Sequence, residues 1–326
     1  MADVPLSLSC WDYDRTRALL DGRVRVPGVG LRPTVLRPEQ AFARAFTTAE
    51  FDVSELSYSN HMTAFSNGKA AYTAIPVFLS RAFRHSIIFV RKDRGIELPA
   101  DLKGRTIGTT EYDMTAALVV RGLLRDEYGV QPADLRWRIG DLAEPERATI
   151  PIPTVTGVDI KPLASGTTLE SELARGALDA VIALRPPRAF AADDGTLRRL
   201  FPDWRRAEQD YVAKTGIFPI MHVVGIRKTL LTAHPWLARA FYDAFEQAKQ
   251  IAIADLAIIQ APRVTLPWVV AELESTRAVL GADFWPYGVR RNRRTLEAII
   301  RWSFEEGLSN RHLTIDELFA PDTLEL

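Results

Sequence analysis

Short apolar runs rich in β-branched residues alternate with helix-compatible segments along most of this chain, and that alternation dictates an α/β fold. Residues 6–10 read as a buried first strand, and 24–36, broken by Pro-Gly and Gly, as a turn feeding a second. Further strands are expected at 51–56, 72–76, 86–90, 106–108, 134–139, 179–184 and 218–226. Between them, Pro38 opens a helix that sets Phe42 and Phe46 on one face, and a long helix over 115–128 is stopped by Gly129. From Lys228 onward the pattern turns helical, over 235–256, 267–280 and 295–306. Ligands of α/β folds bind beyond the carboxyl ends of the strands, so residues there are the first candidates for function.

The chain has 326 residues, enough for two domains on a prior of roughly 150 residues each. Its 41 basic and 41 acidic side chains cancel, so no global field steers it to nucleic acid or to an anionic membrane. Residues 1–5 carry no basic region, and the apolar run at 6–10 is too short for an export signal, so a cytoplasmic protein is expected. The lone cysteine, Cys10, excludes an internal disulfide and reads as a small core residue. The five histidines are dispersed and no His-Glu-x-x-His or paired-Asp motif occurs. No metal or other cofactor is therefore expected, a divalent ion held by two histidines and a carboxylate meeting in space being the lesser reading. Gly28-Val29-Gly30 lacks a third glycine and precedes a strand, so it is no phosphate loop. The cluster Arg290, Arg291, Arg293, Arg294 reads as a solvated helix start, and the aromatic Trp285, Trp302 and Phe304 leave room for a homo-oligomer.

The order of elements suggests two α/β lobes, the second inserted in the first: 1–88 with 224–326, and 89–223, with crossings at 86–91 and 221–227. A hinged pair of this kind closes on its ligand and expels water.

Three runs carry a family resemblance: Glu55-Leu56-Ser57-Tyr58-Ser59-Asn60, then Ile75-Pro76-Val77-Phe78-Leu79-Ser80-Arg81-Ala82-Phe83-Arg84-His85, and Trp285-Pro286-Tyr287-Gly288 with Asn292-Arg293-Arg294-Thr295-Leu296-Glu297. They resemble the 4,5-dihydroxyphthalate decarboxylase family. Asp101-Leu102-Lys103-Gly104-Arg105 and Ala233-His234-Pro235-Trp236 are similar to patterns of the wider type II periplasmic-binding-protein fold. The resemblance runs from about Leu6 to Leu326. It implies a two-lobe binding-protein scaffold and a carboxy-lyase that converts a small aromatic dicarboxylate to protocatechuate and carbon dioxide. Non-catalytic binding of an aromatic carboxylate on the same scaffold stays open, as does decarboxylation of another hydroxylated benzoate.

Such a reaction needs cations for the carboxylate that remains, an acid for the ring carbon and partners for the phenolic hydroxyls. Arg81, Arg84 and Arg185 are the expected carboxylate anchors, because an arginine fork makes two parallel hydrogen bonds to a carboxylate. His85 and His222 are the acid/base candidates, both placed near a lobe crossing. Tyr58 and Asn60 follow a first-lobe strand and are expected to read the hydroxyls. Thr109 and Thr110 follow a second-lobe strand, where a helix start at 109–113 would offer hydroxyls and free amides to an anion. Asp14 and Arg15, just after the first strand, are weaker candidates.

Overall fold

A computed structural model describes residues 3–144 and 152–326. Of the Pro-rich loop expected over 140–156, residues 145–151 lie outside that range. In chain order the first elements are β1 (Val4–Cys10), α1 (Asp14–Leu20), β2 (Val29–Val35), α2 (Pro38–Thr48), β3 (Val53–Ser57), α3 (Tyr58–Ser66) and β4 (Tyr72–Arg81). Next come β5 (Ile88–Arg91), β6 (Thr106–Thr109), α4 (Thr115–Tyr128), β7 (Arg136–Ile139), β8 (Asp159–Pro162), α5 (Leu169–Ala174), β9 (Ala180–Ile182), α6 (Arg188–Ala191), β10 (Leu197–Arg199) and α7 (Trp204–Thr215). The chain ends with β11 (Ile220–Arg227), α8 (Lys228–Ala233), α9 (Leu237–Leu256), α10 (Val269–Leu280), α11 (Arg293–Glu305) and α12 (Ile315–Leu318).

These elements form two compact lobes. The first comprises Met1–Arg81, Ile220–Glu297 and Leu313–Leu326; the second, Ala82–Pro219 and Ala298–His312. The first lobe holds a five-stranded sheet in the order β2-β1-β3-β11-β4, with β1 parallel to β2 and β3 and β11 antiparallel to β3 and β4. Its middle strand β3 is buried at every position, and α9 covers the sheet with Phe241, Ala244, Phe245 and Ala248, spaced three and four apart. The second lobe holds a six-stranded sheet in the order β10-β5-β9-β6-β7-β8. Its core gathers Phe89, Leu142, Leu169, Leu173, Leu178, Val181 and Leu197. No helix among the described residues is long and apolar enough to cross a membrane.

The lobe boundaries differ from those expected. Residues 86–91 are not a crossing: β5 pairs antiparallel with β9 and β10 inside the second sheet. The chain instead leaves the first lobe after Arg81 and returns at Ile220, where these two residues pair across β4 and β11. Residues 298–312, expected with the first lobe, belong to the second. There Trp302 donates its indole N–H to Asp126 (2.8 Å), and the buried Glu306 takes a hydrogen bond from the buried Arg121 Nε (2.5 Å). The expected helix over 115–128 is α4, closed by Gly129 at φ 65°. The helix start expected at 109–113 is absent. Helix α4 begins at Thr115 behind Met114, so no threonine caps it.

Candidate functional site

In the first lobe, antiparallel pairing of β11 with β3 sets His222 opposite Ser57 and Val224 opposite Glu55. Side chains alternate along a strand, so Glu55 and His222 share one face as diagonal neighbours. Nδ1 of His222 lies 2.7 Å from Glu55 Oε1. The same carboxylate accepts the Tyr13 hydroxyl on Oε1 (2.8 Å) and the Trp11 backbone N–H on Oε2 (3.0 Å). Burial, the strongest single influence on Glu55, would raise its pKa; the bond and charge of His222, with the Trp11 and Tyr13 donors, outweigh it and hold Glu55 below its ordinary value.

An ionised Glu55 can only accept, so the Nδ1 facing it carries the proton. Nε2 is left to work. It makes no hydrogen bond to a described residue, and the side chain keeps 17% of its exposure. Phe42 of α2 meets the imidazole edge to face at 4.9 Å between centroids, which fixes the ring plane. Burial and the Glu55 charge push the Tyr13 phenol far up, so it remains a neutral donor.

Beside Tyr13 stands Arg15. Its Cζ lies 4.1 Å from the Tyr13 ring centroid and 4.4 Å from that of Trp285. Nε donates to the Leu79 carbonyl (2.6 Å) and Nη1 to Asp14 (3.1 Å).

The whole-chain comparison decides the family. Over 326 residues the chain is 41% identical to a Comamonas testosteroni protein named 4,5-dihydroxyphthalate decarboxylase, covering 100% of this chain and 99% of that one. The chain belongs to the 4,5-dihydroxyphthalate decarboxylase family. A Pseudomonas putida protein of the same name is 39% identical over 214 residues, 65% of this chain and 82% of that one. Residues 13–146 match a family described as "ABC transporter, phosphonate, periplasmic substrate-binding protein". Two solved structures share the fold. The periplasmic aliphatic sulphonate binding protein SsuA of Escherichia coli has TM-score 0.54 at 13% identity, over 98% of this chain and 92% of that one. The alkanesulfonate-binding protein SsuA of Xanthomonas axonopodis pv. citri, bound to MOPS, has TM-score 0.53 at 15% identity, over 98% and 97%. The two-lobe binding-protein fold expected from the sequence is therefore the fold of this decarboxylase-family chain.

The other expected site residues of this family member fall in varied surroundings. In the first lobe Arg81 is buried and donates Nη1 to the Pro286 carbonyl (3.0 Å), tying down the Trp285-Pro286-Tyr287 run; burial lowers its pKa to about 9. Tyr58 is fully buried with its ring against Phe319, and burial pushes its phenol far up. Asn60 accepts the Ser57 hydroxyl on Oδ1 (2.5 Å) at the start of α3.

In the second lobe His85 is buried between Phe201 and Tyr211, at centroid separations of 5.0 and 5.4 Å, and burial lowers it to about 4. Glu208 Oε1 stands 3.9 Å from His85 Nδ1, too far for a hydrogen bond. Burial raises that carboxyl to about 7, against the backbone N–H groups of Ser86 and His85 and the charges of Arg84 and Arg199. Arg84 is half-buried, and burial lowers it to about 10. Thr109 is buried, its hydroxyl 3.4 Å from the Glu111 carbonyl, while Thr110 faces the Met114 sulfur at 3.7 Å. Arg185 is exposed after β9 and makes no hydrogen bond or ion pair to a described residue.

The sequence reading did not single out Glu55, Tyr13 or Trp11, the partners that surround His222. The signal for Glu55 was present as a carboxylate between Val53 and Leu56 in a segment expected to be a strand, where a buried acid needs a partner. Among the described residues no three His, Cys, Asp or Glu side chains form a metal-holding cluster.

Proposed function

We infer that this protein is an aromatic carboxy-lyase acting on 4,5-dihydroxyphthalate, releasing carbon dioxide and leaving protocatechuate. The carrying observation is the buried Glu55 carboxylate on His222 Nδ1, with Nε2 making no hydrogen bond to a described residue. Kinship over 326 residues to a protein named for this activity supports the substrate.

Each carboxylate of this substrate lies para to a phenolic hydroxyl. Loss of the hydroxyl proton pushes an electron pair toward the carboxylated carbon, which takes a proton from an acid. The bond to the carboxylate then breaks, carbon dioxide leaves, its electron pair restores the aromatic ring, and the phenoxide is reprotonated. One proton is consumed overall. His222 is suited to the proton on carbon. Glu55 holds the imidazole in one tautomer, while the Tyr13 and Trp11 donors keep Glu55 anionic through the cycle. Arg81, bonded to the Pro286 carbonyl, serves this reading as a support for the Trp285 segment.

The test is carbon dioxide release from 4,5-dihydroxyphthalate by the purified protein and by His222→Gln. Loss of His222 should lower kcat by roughly 10²–10⁴-fold. Release by the wild type no faster than by the variant overturns the assignment. The fold kinship with sulfonate-binding proteins favours one second reading, a non-catalytic receptor for an aromatic acid. That reading requires tight retention of the dicarboxylate with no turnover.

A further inference from the structure

Arginine side chains are flexible, and one near solvent normally samples many rotamers. Arg15 is held on four sides. The Tyr13 and Trp285 rings both lie against its guanidinium, Nε is fixed to the Leu79 carbonyl and Nη1 to Asp14. Its side chain keeps 16% of its exposure, whereas Asp14 keeps 56%, so the Asp14 pair is largely screened by water and leaves most of the positive charge in play. Nη2 has no hydrogen bond to a described residue. Nη2 together with the second N–H of Nη1 forms one edge of the fork, the edge that takes a planar carboxylate by two parallel bonds.

The aromatic ring that covers Arg15 also serves the acid/base pair, because the Tyr13 hydroxyl donates to Glu55 and Glu55 holds His222. One tyrosine thus separates a preorganised cation from the proposed acid. We propose that Arg15 is the anchor for the carboxylate that stays on the ring, an assignment that rests on the carboxy-lyase reading for its substrate. Charge logic selects the remaining group over the leaving one. A cation paired with the departing carboxylate loses its partner as neutral carbon dioxide forms, so it favours the ground state and opposes the step. A cation on the retained carboxylate is paired equally in substrate, transition state and product. It sets register without raising the barrier.

Arg15 therefore acts through uniform binding, with its effect in KM and in product affinity. The experiment compares wild type, Arg15→Gln and Arg15→Lys, measuring kcat, KM, inhibition by protocatechuate, and calorimetric binding of phthalate, which has both carboxylates and no hydroxyl to drive turnover. Arg15→Gln should raise KM and the protocatechuate inhibition constant together, each by roughly 10- to 100-fold, with kcat within about threefold. Arg15→Lys should fall between, since it keeps the charge and loses the fork. It carries the test if Arg15→Gln does not fold. A fall in kcat with KM and product affinity unchanged overturns the proposal and leaves Arg15 as a brace for Tyr13. Retained phthalate and protocatechuate affinity in a variant of an active enzyme refutes the anchor alone. Absence of turnover in the wild type, with Arg15-dependent phthalate binding, refutes the carboxy-lyase reading and leaves the anchor standing.

Discussion

Replacing Glu208 by glutamine should change how stability depends on pH, with little change under acid conditions. In the folded chain burial raises the Glu208 carboxyl from 4.5 to about 7. The folded protein therefore holds this proton at pH values where the unfolded chain has released it, and stability falls as pH rises from about 4.5 to about 7. At about 1.4 kcal/mol per pH unit, the cost is about 3 kcal/mol once complete. His85 works the other way. Burial lowers it from 6.5 to about 4, so its contribution is lost in acid and regained as pH rises through that window. The two slopes oppose each other, so wild-type stability should be nearly flat between pH 5 and 6.5. Glutamine copies the shape of the protonated acid and removes only the Glu208 slope. Glu208→Gln should then exceed the wild type by about 1 kcal/mol at pH 5 and about 3 kcal/mol at pH 8. At roughly 2–4 °C per kcal/mol for a unit of this size, the melting temperature at pH 8 should rise by about 6–12 °C. Calorimetric melts at four pH values between 5 and 8 measure it. A difference that stays constant across that range would show that Glu208 does not titrate near neutrality, and that the His85 neighbourhood is solvated.

Two further substitutions probe the acid/base pair and the placement of the C-terminal helix. Glu55→Gln leaves one carbonyl oxygen for three donors, His222 Nδ1, Tyr13 and Trp11, so kcat should fall by roughly 10²-fold and stability by about 1–3 kcal/mol; turnover within a factor of three of wild type, in a carbon dioxide release assay, would remove Glu55 from the mechanism. Gly122→Ala would put a Cβ 2.2 Å from Trp302 Cδ2, a fully buried ring, so the overlap (about 1–3 kcal/mol) should outweigh the helix-propensity gain of about 1 kcal/mol and lower the urea midpoint.

The fold was legible where burial writes a period. Helix α9 shows its apolar residues at three- and four-residue steps, and α4 carries a long apolar stretch closed by Gly129, so both are readable without coordinates. Helix α7 is not. Over Trp204–Thr215 it buries only Glu208 and Tyr211, three apart, with the polar Gln209 and Asp210 between them. A polar helix whose inward residues are an acid and a phenol leaves no apolar stripe to detect. The short edge strands β8 and β10 escape for a related reason, being too brief to show alternation. The crossing was misplaced because 86–90 is apolar enough for a hinge strand and for an inner sheet strand alike, and only its pairing with β9 and β10 tells them apart.

The site shows the same division between what a residue is and what it meets. Histidine and arginine advertise chemistry by type, so His222 and His85 were equally eligible, and composition had no means to rank them. Their surroundings do. His222 has a carboxylate on Nδ1 and keeps 17% of its side-chain exposure, whereas His85 is enclosed by Phe201 and Tyr211 with its nearest acid beyond hydrogen-bond reach. An imidazole that must donate a proton needs an anion to stabilise its charged form; one that burial holds neutral to about pH 4 has no proton to give at neutrality. The ranking therefore turns on Glu55, forty-four residues after Trp11 and 167 before His222 in the chain, and brought to both only by the order of strands β1-β3-β11. That is long-range information, which no local pattern around either histidine contains.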